Sequence, residues 1–162
     1  MTKKIMIISL VCVFTSNLSF SQKLNYFDLK YLFEHSVDEA NDYVIKKGFE
    51  FYKTEIEENG IDKSMSWAFQ RNTYSDGADY FITKYKLDAN TGFIWYQLVD
   101  VKTFDQIKSY CKSIGFKITN SEISPLGDLC ATYENSKFKI DFCSGVNSKS
   151  NKNIYFITFN DK

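Results

Sequence analysis

The sequence contains one histidine and one proline among 162 residues, and no long apolar run follows residue 21. The longest later run, from Phe93 to Val99, is interrupted by Gln97 and is far shorter than the ~20 residues that span a bilayer. His35 has only Glu39 nearby as a second potential ligand, whereas a zinc site needs three or four. We therefore predict no integral membrane segment after residue 21, no metal site, no cofactor and no catalytic residue.

An excess of charge of either sign is also missing. Lys3 and Lys4 lie in the segment that we predict is removed, so 18 of the 20 basic residues and all 20 acidic residues remain, a net charge of −2. This balance excludes the strongly basic surface that nucleic acid or an anionic membrane attracts. No Asn-x-Ser/Thr sequon follows residue 21, which favours a bacterial envelope over a glycosylating secretory route.

The first 21 residues have the three parts of a signal peptide. Two lysines precede the apolar stretch Ile5–Phe14, and a short polar segment ends at Ser19-Phe20-Ser21. Ten apolar residues are too few to cross the bilayer core. We predict cleavage between Ser21 and Gln22, which makes residues 1–21 a cleaved signal peptide and residues 22–162 an exported domain, periplasmic or secreted.

Phenylalanine and tyrosine are abundant, with 15 and 11 copies. These residues favour strands and fill cores, so the composition indicates a sheet with an aromatic core rather than a disordered chain.

Two segments 67 residues apart have the same helix signals. Ser36-x-x-Glu39 and Thr103-x-x-Gln106 each have the form of a capping box, and Gly48 and Gly115 each follow twelve residues later as helix stops. The shared offset predicts an internal duplication, with repeats at about residues 22–98 and 99–162. A short extra helix is predicted at Tyr26–Glu34.

Four strand-like runs separated by turn residues follow each glycine. They are Phe49–Lys53, Met65–Arg71, Asp79–Lys86, Phe93–Leu98, Phe116–Ser121, Asp128–Glu134, Lys137–Ser144 and Asn153–Asn160. We predict an α+β fold in which one antiparallel sheet of about eight strands carries both main helices on one face. Residues 144–152 are rich in Ser, Asn and Lys and are predicted to form a loop. The order of elements resembles the tandem-repeat fold of the β-lactamase inhibitory protein family, a likeness of layout that carries no function with it.

Three cysteines remain after residue 21, in a compartment where thiols tend to pair. Cys111 falls on the core face of its helix. Cys130 and Cys143 lie on the two arms of a hairpin that turns at Asn135-Ser136, and they share one face as diagonal neighbours, a marginal distance for a bridge. We therefore predict a Cys130–Cys143 disulfide, with two free thiols as the alternative. The predicted hairpin pairs 134 with 137, 132 with 139, 131 with 140 and 129 with 142.

The sheet face away from the helices is the predicted site of function. Tyr52, Trp95 and Tyr96 are the candidate contact residues, although either side of the strand around Trp95 could be the covered one. Flat sheets form poor pockets, so we expect a protein partner rather than a small ligand. The sequence thus favours a non-enzymatic binding module, and the alternatives are an exported hydrolase that uses carboxylates or a structural envelope component.

Overall fold

The computed structural model of the chain describes residues 23–56, 63–72, 77–86 and 92–162. The predicted signal peptide lies outside these residues. Within them, two helices precede four strands, and a third helix precedes four more, in the predicted order.

Two short helices open the described part of the chain. Helix α1 spans Tyr26–Glu34, and helix α2 spans Val37–Lys46. The Ser36 hydroxyl accepts a hydrogen bond from the Glu39 amide, and the Glu39 carboxylate accepts one from the Ser36 amide, so this capping box is confirmed. The Ser36 hydroxyl also donates to the Glu39 carboxylate, and this bond together with the one from the Ser36 amide lowers the pKa of Glu39.

The predicted start of the third helix is wrong by one turn. Helix α3 spans Val101–Ser113, and its N-cap is Asp100 rather than Thr103. The Asp100 carboxylate accepts hydrogen bonds from the Thr103 amide at 2.9 Å and from the Thr103 hydroxyl at 2.5 Å. Aspartate is a stronger cap than threonine, so the helix begins at the earlier residue and Thr103 becomes part of its first turn.

Both predicted helix stops are confirmed. Gly48 and Gly115 follow the C-caps of α2 and α3 with φ values of 85° and 93°, in the left-handed region where other residues are strained. Each glycine turns the chain directly into an edge strand.

The eight strands form one antiparallel sheet in the order β1-β2-β3-β4-β8-β7-β6-β5. Their bounds are β1 Glu50–Ile56, β2 Lys63–Arg71, β3 Ala78–Lys86, β4 Gly92–Leu98, β5 Lys117–Ile123, β6 Leu129–Glu134, β7 Phe138–Asn147 and β8 Lys152–Asp161. The first four strands join the last four through β4 and β8, which leaves β1 and β5 at the edges. The α+β prediction with one eight-stranded sheet is therefore confirmed.

The two edge strands have matching irregularities. The register shifts between Phe51 and Lys53 in β1, and between Ile118 and Asn120 in β5, at the same offset of 67 residues. Bulges of this kind twist an edge and discourage pairing with another chain. The shared position agrees with the predicted duplication, but a common layout does not establish a common origin, and the duplication remains a prediction.

All three helices pack on one side of the sheet, which we call the covered face. Tyr26 of α1 contacts Phe159, Asn41 of α2 accepts a hydrogen bond from Trp67, and Phe104 of α3 contacts Phe142. Side chains of the covered face form the centre of the core, and the largest fully buried ones are Phe49, Trp67, Ile82, Ile94, Tyr96, Leu98, Ile140, Phe142 and Phe159. None of the helices in the described part of the chain lies on the opposite side of the sheet, which we call the open face.

The register of the β6–β7 hairpin differs from the prediction by two residues. Glu134 pairs with Lys139, and Cys130 lies directly opposite Cys143. The reason is the Asn135 side chain, whose Oδ1 accepts hydrogen bonds from the amides of Lys137 and Phe138 and so moves the turn one residue along the chain. A shift of two keeps every side chain on its predicted face, because side chains alternate with a period of two.

The predicted loop at residues 144–152 is also shorter than expected. Ser144–Asn147 continue β7, and they pair with Lys152–Tyr155 of β8. The Asn147 side chain accepts hydrogen bonds from the amides of Lys149 and Ser150, which closes a tight turn at the hairpin tip.

Candidate binding face

Six aromatic side chains occupy the half of the open face that β1 to β4 and β8 form. We call them the aromatic face: Tyr52, Phe81, Tyr85, Phe93, Trp95 and Phe156. All six are partly exposed. The five in β3, β4 and β8 come together because they alternate along their strands with residues of the covered face, as Trp95 does between Ile94 and Tyr96. Tyr52 lies at the register shift of β1 and reaches the same surface through its contact with Phe81.

The strand register places these rings in adjacent rows. Phe81 and Phe156 lie on either side of Gln97, and Trp95 lies between two threonines in the next row. Tyr85 is directly opposite Phe93 in the row beyond. The result is a continuous surface made by strands from both ends of the chain, since β8 supplies Phe156.

The rings pack against each other. Trp95 stacks on Phe156 with ring centroids 5.4 Å apart, and Tyr85 stacks on Phe93 at 4.1 Å. Tyr52 contacts Phe81 edge to face at 5.2 Å, and the Arg71 guanidinium lies 5.1 Å from the Tyr52 centroid. Such pairs fix ring orientation while leaving an outer surface available to solvent.

Small side chains beneath the rings complete this half of the sheet. Ala68 is fully buried, and Ser66 and Thr83 are 4% and 5% exposed with their hydroxyls 2.8 Å apart. These residues point to the open face, yet their larger neighbours shield them from solvent. The aromatic rings therefore form a packed layer on a polar hydrogen-bonded base.

The other half of the open face is polar. The Thr132 hydroxyl donates to Asp141 at 2.6 Å, linking β6 to β7. A disulfide joins Cys130 to Cys143, whose Cα atoms are 4.0 Å apart, and Cys143 pairs with Phe156 of the aromatic face. The predicted pair is thus the one that the structure joins, as direct rather than diagonal neighbours.

The structure separates the three predicted contact residues. Tyr52 and Trp95 lie on the aromatic face. Tyr96 does not, and this prediction is wrong: its side chain is fully buried in the core below α1. Because neighbouring side chains point to opposite faces of a strand, Trp95 and Tyr96 cannot share one surface.

Burial is the main influence on the pKa of the Tyr96 hydroxyl. It raises the pKa of the phenol far above the usual range, against a smaller opposing effect from the Leu24 amide. That amide does not reach the geometry of a full hydrogen bond, so the hydroxyl has no partner among the described residues. Tyr96 is therefore a core residue with an unsatisfied polar end.

Four members of the aromatic face were not among the predicted contact residues: Phe81, Tyr85, Phe93 and Phe156. Of these, only Phe93 is placed by the sequence on the same face as Trp95. A signal was present, since the strands around Trp95 and Phe156 are apolar at consecutive positions and must place large side chains on both faces. The sequence could not show which of the two faces the helices cover.

Cys111 lies on the core side of α3 and is fully buried, as predicted. Burial raises the pKa of its thiol to about 12. A protonated, enclosed thiol is a packing group rather than a nucleophile.

The carboxyl groups offer little support for hydrolytic chemistry. Among the carboxyl groups of the described residues, the pKa is clearly displaced for Glu39, Asp100 and Glu134, and it is lowered in all three. Their partners are Ser36, Lys23 and Lys162 respectively, at two helix starts and a surface ion pair. A general acid needs a raised pKa, so these groups are suited to structural pairing.

His35 lies at the junction of α1 and α2. Its ring stacks on Tyr31 at 3.8 Å, and its Nδ1 is 2.8 Å from the Tyr31 carbonyl oxygen. Within residues 23–56, 63–72, 77–86 and 92–162, no three potential metal ligands lie together.

None of the helices in the described ranges is long and apolar enough to cross a membrane. Comparison with known proteins finds no match among protein-family models, curated proteins or solved structures. The aromatic face is therefore interpreted from its own geometry.

Proposed function

We propose that this chain is an exported binding module that contacts another protein through its open face. The aromatic face carries the proposal. Six partly exposed rings in one continuous surface are more than scattered apolar residues, and such patches on soluble domains mark interaction sites.

The composition of the surface matches that of protein interfaces. Interface cores are enriched in Tyr, Trp, Phe and Arg, and a polar rim surrounds them. Here Trp95 and Phe156 form the centre, Arg71 borders Tyr52, and Asp141 lies on the polar side. A stacked pair is also pre-oriented, which reduces the entropy lost on binding.

A capture experiment with matched variants tests the proposal. The mature protein and Trp95→Ala are each used as bait in envelope extracts, and the captured protein is then purified and titrated. Loss of a central interface tryptophan costs 2 kcal/mol or more, about 30-fold in Kd. The control is Phe27→Ala, which removes a ring that is 61% exposed on helix α1.

The proposal expects Phe27→Ala to bind like the unaltered protein and Trp95→Ala to bind far more weakly. Equal binding by all three proteins would move the interface away from the open face. Thermal unfolding of each bait shows whether a loss of binding has a folding cause.

The export part of the proposal has a separate test. Mass spectrometry of the extracytoplasmic fraction should find Gln22 as the first residue. An intact Met1 or Thr2 in that fraction contradicts cleavage.

A further inference from the structure

A cleft of about 560 Å³ opens at one end of the open face, next to the aromatic face. The turn between β7 and β8 forms one wall, and the ends of β2, β3 and β4 form the other. Phe81 and Ile154 contribute apolar surface to it. Its volume lies within the ~300–1,000 Å³ range of small-ligand sites.

Side-chain amides dominate the polar lining of this cleft. Gln70 and Gln97 lie on the strand wall, and Asn147 and Asn153 on the hairpin wall. The Asn147 Oδ1 is occupied by two backbone amides, which leaves its NH₂ group without a hydrogen bond to any described residue. The side chains of Gln97 and Asn153 likewise make no hydrogen bond within the described part of the chain.

Amides of this kind suit a ligand whose polar groups both donate and accept. A carboxamide offers two donors and an acceptor, and a hydroxyl is both a donor and an acceptor. The partly exposed ring of Phe81 provides an apolar surface for the C–H groups of a sugar ring. The charged lining residues, Asp79, Lys149 and Lys152, have a net charge of only +1 and are all exposed, so the lining has no buried charge that would select a strongly charged ligand.

The backbone conformation at Gln70 supports a ligand-binding role for the cleft. Gln70 has a φ of 57°, in the left-handed region. It is not paired with β3, whereas its neighbours Phe69 and Arg71 are. A non-glycine residue in this conformation costs ~1–2 kcal/mol, and such strain is found at functional sites. The distortion occurs where Gln70 lines the cleft.

We propose that this cleft binds an uncharged oligosaccharide. A peptide is the less favoured ligand, because peptides are commonly recognised through free strand edges. The strands β2, β3, β4, β7 and β8 around the cleft are all paired on both sides. This inference does not depend on the protein interface proposed above.

Calorimetric titration of the mature protein with chitohexaose, maltohexaose and cellohexaose tests the proposal. We expect at least one of them to bind with a millimolar or lower Kd. Asn153→Ala should weaken that binding about fivefold, the effect of one lost hydrogen bond. The control is Asn120→Ala, which removes an exposed asparagine on the opposite edge strand β5 and should bind normally.

Gln70→Gly supplies a second readout. Glycine tolerates a positive φ, so this variant should keep or raise the thermal unfolding temperature while it weakens oligosaccharide binding. Failure of all three sugars to bind at 10 mM, or equal binding by Asn153→Ala, overturns the proposal. So does saturation of the cleft by extended peptides from a digested unfolded protein.

The two proposals fail separately. Asn153 lies in the cleft and not on the aromatic face, whereas Trp95 lies on the aromatic face and does not line the cleft. Loss of protein capture in Trp95→Ala with unchanged sugar binding in the same variant supports both sites independently.

Discussion

The two faces of the sheet use the same kinds of side chain in different ways. On the covered face, Trp67 and Phe142 are almost fully buried under the helices. On the open face, Trp95 and Phe156 stack on each other and stay partly exposed. Identical alternation along the strands thus produces a core on one side and a layer of paired rings on the other.

The difference shows that burial here comes from the helices rather than from the sheet. Packing against α1, α2 and α3 removes aromatic surface from water, whereas stacking between neighbours on the open face removes only part of it. The covered face should therefore carry most of the free energy of unfolding, and the open face should carry binding.

Removing one tryptophan from each face tests whether the covered face carries most of the free energy of unfolding. Among the variants considered, it should give the largest change in that free energy. Trp67→Ala should lower the free energy of unfolding by ~3–5 kcal/mol, because it leaves a cavity and removes the hydrogen bond from Trp67 to Asn41. Trp95→Ala should cost only about 1 kcal/mol, since its site can refill with water. Urea denaturation measures both values, and similar losses for the two variants would contradict the division.

The disulfide is the strongest constraint on the open face. It joins residues 13 apart in sequence, and the chain-entropy model gives ~3 kcal/mol as an upper value for the loss in Cys130→Ser/Cys143→Ser. Non-reducing peptide mapping should find the Cys130–Cys143 link. Cys111 should resist alkylation until the protein unfolds, because it is buried and the pKa of its thiol is about 12.

A different pairing would change the comparison between the faces. A bridge from Cys111 to either partner would contradict the separation of covered and open faces. Three free thiols would remove the bridge but leave the hairpin register in place.

A buried lysine on the covered face should matter more than an exposed one. The Lys84 ammonium donates to the carbonyls of Leu32 and Phe33 at the end of α1, at 2.6 and 3.2 Å. Lys84→Met should lower the free energy of unfolding by ~2 kcal/mol, because carbonyls at the helix end lose a charged donor. Lys53→Met is the control, since the Lys53 side chain is 46% exposed and its ion pair with Glu55 lies at the surface. This variant should lower the free energy of unfolding by less than ~0.5 kcal/mol. Equal costs would show that Lys84 does not cap the helix.

The smallest expected effect concerns pH and the start of α3. Hydrogen bonds from Lys23 and Thr103 lower the pKa of Asp100 to about 2. Since the folded pKa is below the unfolded value of ~3.9, the ionised Asp100 adds stability that is complete above pH ~4 and is lost as the pH falls through 2.

Asp100→Asn keeps an N-cap acceptor and removes the charge. Solvent screening should hold its cost below ~1 kcal/mol at pH 7, because a quarter of the Asp100 side chain is exposed. Unfolding curves between pH 2 and 7 should show the difference from the unaltered protein shrinking toward pH 2. A difference that is constant with pH would assign the effect to packing rather than to charge.

Helix and strand positions were largely predictable from local sequence. Tyr26–Glu34 is the predicted helix, and Gly48 and Gly115 end the next two as expected. These features depend on hydrogen bonds and dihedral preferences within a few residues. The predicted start of helix α3 is wrong because two potential N-caps, Asp100 and Thr103, lie within one turn of each other.

The candidate site was predictable only in part. Tyr52 and Trp95 were found, but Tyr96 was placed on the wrong face, and Phe81 and Phe156 were not identified. Strands apolar on both faces give no periodic signal that tells the two faces apart.

Local structure follows from local sequence: the capping box at Ser36, the left-handed glycines, the strand alternation and the shared face of Cys130 and Cys143. Which face the helices cover, and hence whether Trp95 or Tyr96 is exposed, depends on packing between distant elements. It also decided the β4–β8 pairing that brings Phe156 beside Trp95. The physical reason is range: hydrogen bonds and torsions act between near neighbours, whereas burial depends on packing between elements distant in the chain.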